Sequence, residues 1–113
     1  MRLDDKIRIR HMIDAAEEAL SFVSDISERE FDKSRMLILS VIKEIEIIGE
    51  AASKISEETR IRYSNIPWQD IVGMRNKLIH GYFDVNSKLV WNTIKNDLPL
   101  LIISLKEILI ING

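Results

Sequence analysis

Apolar residues recur near the start of the chain at alternating steps of four and three, which is the spacing of an amphipathic helix. The pattern predicts a first helix from about Asp4 to Ser24. Its apolar stripe consists of Ile9, Ile13, Ala16, Leu20 and Val23. Ser27 and Glu30 then have capping-box spacing, and Asp32 is a second possible N-cap before the next helix.

A second predicted helix, from about Lys33 to Ile55, has apolar residues on more than one side. Its main stripe contains Ile38, Val41, Ile45, Ile48, Ala52 and Ile55. The apolar residues outside that stripe are Leu37, Leu39, Ile42 and Ile47. Because a small domain has limited interior, we interpret this helix as one that packs against another chain.

The pattern in the second half of the chain predicts three more helices. Residues 56–65 lapse into a polar connection, and a third helix is expected from near Pro67 to near Gly81. Residues 84–87 can cap a fourth helix that runs to about Asn96.

Asp97 and Pro99 then restart this helix or kink it into a fifth. The expected buried face of the fifth helix is Leu98, Leu101, Ile102, Leu105, Ile108 and Leu109. The fold class predicted is all-α, an antiparallel bundle of about four to five helices, with residues 1–113 as one domain.

Composition narrows the class of protein. Of 113 residues, 46% are apolar and 30% charged, which suits a folded domain, and the net charge of −2 lacks the footprint of a protein that grips long nucleic acids. The absence of cysteine excludes disulfides and thiolate sites, and two histidines disfavour a zinc site. The charged N-terminus and the interruption of the apolar segment 98–111 by Lys106 and Glu107 lead us to expect a cytoplasmic protein with no membrane span.

The densest polar constellation is the segment from Arg75 to Tyr82. Arginine suits phosphate oxygens, and histidine moves protons near neutral pH, so Arg75 and His80 together match metal-free phosphodiester cleavage. On a straight helix the two would lie about 140° apart. Convergence therefore needs His80 at a frayed helix end, which Gly81 permits, or a second copy across a two-fold axis. In the alternative interpretation, the helix dipole alone favours His80 at a helix C-terminus, and Tyr82 is a packing residue.

Other candidate residues are weaker. Glu46 and Glu50 lie four apart, as paired carboxylates would, but exposed helix faces often carry such pairs. Trp68 and Trp91 are interpreted as core anchors rather than base-stacking residues, and His11 as a surface residue. The remaining basic candidates, for a local positive rim or simply a solvated face, are Arg60, Arg62, Arg75 and Lys77.

Several further segments accompany Arg75 and His80. They are Ile66-Pro67-Trp68, the run from Ile71 to Tyr82, Val85-Asn86, Val90-Trp91, Asp97-Leu98-Pro99 and, in the second helix, Ile48-Gly49-Glu50-Ala51. In combination they closely resemble the HepT-like family of the HEPN superfamily, over nearly the whole chain.

This resemblance implies a homodimeric, helical ribonuclease that works without metal or other cofactor, usually as the toxin of a toxin–antitoxin pair. The family motif, Arg, four residues, His, one residue, Tyr, falls on Arg75, His80 and Tyr82. Asn76 would then help to hold the active-site network or the RNA. Glu50, through its place in the Ile48–Ala51 segment, and Lys77, the next residue after Asn76, are further candidate supporting residues. Family members are typically paired with a minimal, MntA-like nucleotidyltransferase that attaches AMP to the motif tyrosine, here Tyr82.

We therefore expect a metal-independent endoribonuclease toxin of a type II/VII-like pair, which cleaves RNA at a dimer cleft and is neutralised by AMPylation. Its surface would be acidic overall and positive at that cleft. The alternative is a non-catalytic helical module that binds a nucleotide or the partner nucleotidyltransferase.

Overall fold

The structure is a computed structural model that describes residues 1–81 and 84–113. Its helices are α1 (Leu3–Phe22), α2 (Glu28–Lys33), α3 (Arg35–Ser53), α4 (Glu57–Arg62), α5 (Trp68–Leu78), α6 (Ser87–Asn92) and α7 (Leu98–Asn112). A π-helical stretch, Thr93–Asp97, joins α6 to α7, so the two form one long helix. The predicted all-α fold is confirmed.

Helices α1 and α3 form the centre of the bundle. Helix α7 packs against α1, and α5 packs against α3. The predicted stripe of α3 is buried throughout, and the stripe of α1 is buried except for Leu20, which is half-buried. Among the described residues, no helix is both long enough and apolar enough to cross a bilayer.

The start of α3 differs from one prediction. Ser27 and Glu30 form the expected capping box, but it opens the separate short helix α2. The N-cap of α3 is Ser34, whose hydroxyl accepts a hydrogen bond from the amide of Leu37 at 3.2 Å. Asp32 lies inside α2 and accepts a hydrogen bond from the Ser87 hydroxyl instead, so its assignment as an N-cap is wrong.

The connection predicted over residues 56–65 contains a helix, α4, that polar composition concealed. Ser56 caps it by accepting from the amide of Thr59 at 3.3 Å. The hydroxyls of Ser56 and Thr59 also donate to the carboxylate of buried Asp5 at 2.6 and 2.7 Å. Burial alone would raise the pKa of Asp5, but these hydrogen bonds outweigh it and the pKa is lowered. A partner 51 residues away in sequence thus fixes α4.

Helix α3 also buries a carboxyl group, that of Glu44, which is only 5% exposed. Its Oε2 has no hydrogen-bond partner among the described residues. Burial raises the pKa of Glu44 to about 7, helped by a hydrogen bond and the negative charge of Glu18 on α1. The interface between α1 and α3 therefore favours the protonated form of Glu44.

At Asp97 and Pro99, where the helix was expected to restart or kink, the structure has a wide turn within a continuous helix. The amide of Leu98 donates to the carbonyl of Thr93, five residues back, directly before Pro99. Such a turn gives the proline ring room that a regular α-turn would deny. The expected face of α7 is buried except for Leu109, which is half-buried.

Candidate active site

The end of α5 shapes the candidate site. The helix ends at Leu78, and Ile79 adopts an extended conformation with φ −120° and ψ 122°. Ile79 pairs with Val85 as an isolated antiparallel bridge, and the amide of Asn86 donates to the carbonyl of Leu78 at 3.0 Å. The helix was expected to end near Gly81 and ends three residues earlier, because β-branched Ile79 and Val85 favour the extended pairing.

His80 consequently lies outside the helix. Its amide donates to the carbonyl of Asp84 at 2.8 Å, and its side chain is exposed. Its two neighbours, Ile79 and Gly81, line a groove of about 490 Å³ that Arg75 also lines. His80 itself is not among the residues that line this groove, so the convergence of Arg75 and His80 on one phosphate stays a prediction.

Arg75 is held between two helices. Its Nε lies 3.2 Å from Oε1 of Glu46 on α3, and one terminal nitrogen donates to Oδ1 of Asn76 at 3.5 Å. Glu46 Oε2 also lies 3.9 Å from Nζ of Lys43. The side chain of Arg75 remains 47% exposed, so a ligand in the groove can reach it.

Gly49 allows α5 to approach α3 closely at this point. A Cβ atom on Gly49 would lie 3.3 Å from the carbonyl oxygen of Ile71 and 3.4 Å from that of Val72. The first of these contacts would be tighter than most real Cβ contacts, and both oxygens belong to the backbone of α5. The glycine therefore sets the separation across which Glu46 reaches Arg75.

A second groove, of about 390 Å³, brings further candidates to Arg75. Asn76 and Glu50 line it together with Arg75 and Glu46. Glu50 itself pairs with Lys54 at 3.3 Å. Glu50 was the glutamate expected to support the site, whereas it is Glu46 that contacts Arg75. Their four-residue spacing places both on one face, and no local signal distinguishes them.

Other predicted basic residues point elsewhere. Lys77 pairs with Asp70 at 3.7 Å and lines a groove between α5 and α6–α7. It lies about 200° from Arg75 around the helix. Arg60 caps α3 by donating to the carbonyls of Ala52 and Ile55 at 2.8 and 3.2 Å. The four basic residues therefore do not form one rim.

The aromatic and histidine candidates have separate positions. Trp68 is buried and donates from Nε1 to the carbonyl of Tyr63 at 3.1 Å, whereas Trp91 is half-buried with its ring 5.4 Å from that of Phe31. Both therefore pack as anchors. His11 is exposed and lines an α1–α3 groove of about 650 Å³. The predicted modification site, Tyr82, lies outside the described residues.

The charges around Arg75 balance within one chain. The two grooves that Arg75 shares are lined by two basic residues, Lys43 and Arg75, and two acidic ones, Glu46 and Glu50. A guanidinium held by acceptors can bind a phosphodiester, and an exposed imidazole just beyond the helix end can transfer protons. The positive cleft expected of a dimer stays a prediction.

Comparison with known proteins agrees with this chemistry. The sequence pattern of the family described as "Ribonuclease HepT-like" matches residues 12–108. "Putative RNase TTE0752" of Caldanaerobacter subterraneus subsp. tengcongensis is 40% identical over 101 residues, which cover 89% of this chain and 90% of that protein. "Putative RNase MJ1380" of Methanocaldococcus jannaschii is 38% identical over 96 residues, covering 85% and 88%.

A third relative carries the family name itself. "Probable ribonuclease HepT" of Thermococcus cleftensis is 34% identical over 101 residues, which cover 89% of this chain and 92% of that protein. No solved structure matches the chain at a significant level.

Proposed function

The chain belongs to the ribonuclease HepT-like family of the HEPN superfamily, and from that premise we propose that it is a metal-independent endoribonuclease. The observation that carries the proposal is the groove in which Arg75, fixed by Glu46 and Asn76, meets the residues on either side of His80. The relatives named as ribonucleases support RNA as the substrate.

The mechanism follows from the chemistry of two side chains. His80 transfers protons between the ribose 2′-hydroxyl and the leaving 5′-oxygen. Arg75 donates hydrogen bonds to the phosphorane, where negative charge develops, and Asn76 orients the guanidinium. Neither step requires a metal ion, because imidazole supplies the proton transfer and guanidinium the charge stabilisation.

The experiment that tests this proposal is cleavage of single-stranded RNA in EDTA. We expect the wild type to cleave, and Arg75→Ala and His80→Ala to lose at least about 100-fold in rate. Lys106→Ala is the matched loss of a cation, because Lys106 lies on α7 and pairs with Glu17 on α1 at 3.4 Å. Equal cleavage by all four proteins would remove the catalytic assignment, and loss of cleavage in EDTA would remove metal independence.

We also propose that the protein acts as a homodimer through the outer face of α3. The exposed apolar side chains Met36, Leu39 and Ile47 lie on this helix, and Leu39 lines the groove that contains Arg75. Light scattering should therefore give about twice the 13.1 kDa of one chain. Ile47→Asp should lower that mass and the cleavage rate together, and a monomeric wild type would contradict the dimer.

The toxin–antitoxin role and AMPylation of Tyr82 complete the proposal. Tyr82 lies two residues from His80 in sequence, so an attached AMP would add a phosphate and a bulky nucleoside beside the catalytic groups. Expression of the chain alone should arrest growth, and His80→Ala should relieve the arrest. After co-expression with a minimal nucleotidyltransferase, mass spectrometry should find AMP on Tyr82. AMP on another residue, or on none, would contradict the modification.

A further inference from the structure

We infer that Glu46 is the positioning residue for Arg75, an inference that rests on the proposed ribonuclease function. The two residues are 29 positions apart and belong to different helices. Glu46 Oε1 lies 3.2 Å from Arg75 Nε, with side-chain exposures of 38% and 47%. Glu46 thus connects the centre of the bundle to the group that binds phosphate.

The position of the contact on the guanidinium determines its role. A guanidinium is planar, with one N–H at Nε and four at the terminal nitrogens. Glu46 accepts at Nε, and Asn76 accepts from one terminal nitrogen. Two acceptors at different nitrogens define the orientation of the plane. The other terminal N–H groups are left to donate to a phosphate.

Two nearby features make Glu46 a defined acceptor. Lys43, one turn earlier on α3, lies 3.9 Å from its second oxygen. Gly49, within one turn after it, sets the close approach of α3 and α5. Glu46 also lines both grooves that Arg75 lines. The carboxylate is therefore held at the junction of the surfaces that RNA would occupy.

The role assigned to Glu46 is geometric, because an exposed ion pair contributes little to folding. Displacement of a catalytic group by about 1 Å can cost up to about 100-fold in rate. The Glu46→Ala variant should therefore fold normally, and its kcat should be about tenfold lower than that of the wild type. Its KM should not rise, because the substitution also removes a negative charge from the RNA site. Glu46→Gln should stay within about threefold of the wild type, because its amide oxygen still accepts from Nε.

The test measures kcat and KM on RNA for the wild type, Glu46→Ala and Glu46→Gln. Glu17→Ala is the control, because it removes a similarly exposed carboxylate that pairs with Lys106 at 3.4 Å. We expect it to match the wild type. Wild-type kcat in Glu46→Ala would overturn the inference and leave the ribonuclease function intact. So would equal losses in the Ala and Gln variants, or a gain in rate that marks Glu46 as a mere competitor for Arg75.

A second measurement does not depend on catalysis. The NMR signal of the Arg75 Nε–H should exchange slowly with water in the wild type and in Glu46→Gln, and quickly in Glu46→Ala. Equal exchange in all three would overturn the inference. Absence of RNA cleavage by the wild type would overturn the proposed function and, with it, the catalytic purpose of the pair.

Discussion

Two polar clusters connect distant segments of this chain, and water reaches them very differently. Asp5 is 2% exposed and accepts hydrogen bonds from Ser56 and Thr59, whereas the Arg75 side chain is 47% exposed against Glu46. Unpaired polar groups are costly when buried and cheap when exposed. The Asp5 cluster should therefore determine stability, and the Arg75 cluster should determine activity.

The sharpest separation of the two clusters is expected from His80→Ala. His80 is exposed, so the free energy of unfolding should stay within about 0.5 kcal/mol of the wild type. RNA cleavage should fall at least about 100-fold. Denaturant unfolding and cleavage assays on the same preparations measure both quantities. A comparable loss of stability would mean that the segment after α5 is structural and not catalytic.

Asp5→Ala should have the opposite profile. It leaves the amide and hydroxyl of Ser56 and the hydroxyl of Thr59 without their acceptor, at an expected cost of about 2–3 kcal/mol in unfolding free energy. Asp4→Ala is the matched control, because it removes the neighbouring exposed carboxylate. Cleavage per folded molecule should be unchanged in both. Equal stability of the two variants would show that the Asp5 cluster does not hold α4.

The pH dependence of the Asp5 contribution follows from the direction of its pKa. Because the folded protein lowers that pKa, the stabilisation is present above the unfolded value of 3.8 and is lost as pH falls through the lower folded value. Unfolding measured from pH 5 downward should therefore show a steeper loss of stability in the wild type than in Asp5→Ala.

The difference between the clusters also explains what sequence reasoning can predict. The buried stripes of α1, α3 and α7 were predictable because burial repeats with the helical period. Capping by Ser27 was predictable because both partners are local. Helix α4 was missed because its anchor, Asp5, is 51 residues from Ser56. The early end of α5 was missed because Ile79 pairs with Val85 across a turn.

In the candidate site, too, local features were predictable and contacts between helices were not. Arg75, His80 and Asn76 were identified from local spacing and family resemblance, and the structure places them at one end of α5. Glu50 rather than Glu46 was expected to support the site, because only the packing of α3 on α5 reveals which carboxylate reaches Arg75. Lys77 was included as a neighbour in sequence, but the helical rotation turns it towards another groove.

Glu44 offers a second test of how a buried carboxyl group affects stability, because its Oε2 lacks, among the described residues, hydrogen-bond donors such as those that surround Asp5. Its pKa is raised from 4.5 to about 7, so the protonated form is favoured in the folded state. Its contribution is complete below the unfolded pKa and is lost as pH rises through about 7. Glu44→Gln should therefore raise the unfolding free energy at pH 8 by about 1–2 kcal/mol and flatten its slope between pH 5 and 8. Exposed Glu107→Gln is the control; an equal effect there would contradict this assignment.

The smallest stability effects are expected from two exposed ion pairs, and they isolate function from folding. Glu46→Ala and Glu17→Ala each break a half-exposed pair, with N···O distances of 3.2 and 3.4 Å. Each should change the unfolding free energy by less than about 1 kcal/mol. In an exposed pair, the Coulomb attraction is largely offset by the loss of hydration and of side-chain entropy. Of the two carboxylates removed, only that of Glu46 contacts Arg75, the arginine proposed to be catalytic. Matched unfolding curves with unequal kcat would therefore place the difference in the orientation of Arg75, whereas unequal unfolding curves would make Glu46 a structural residue.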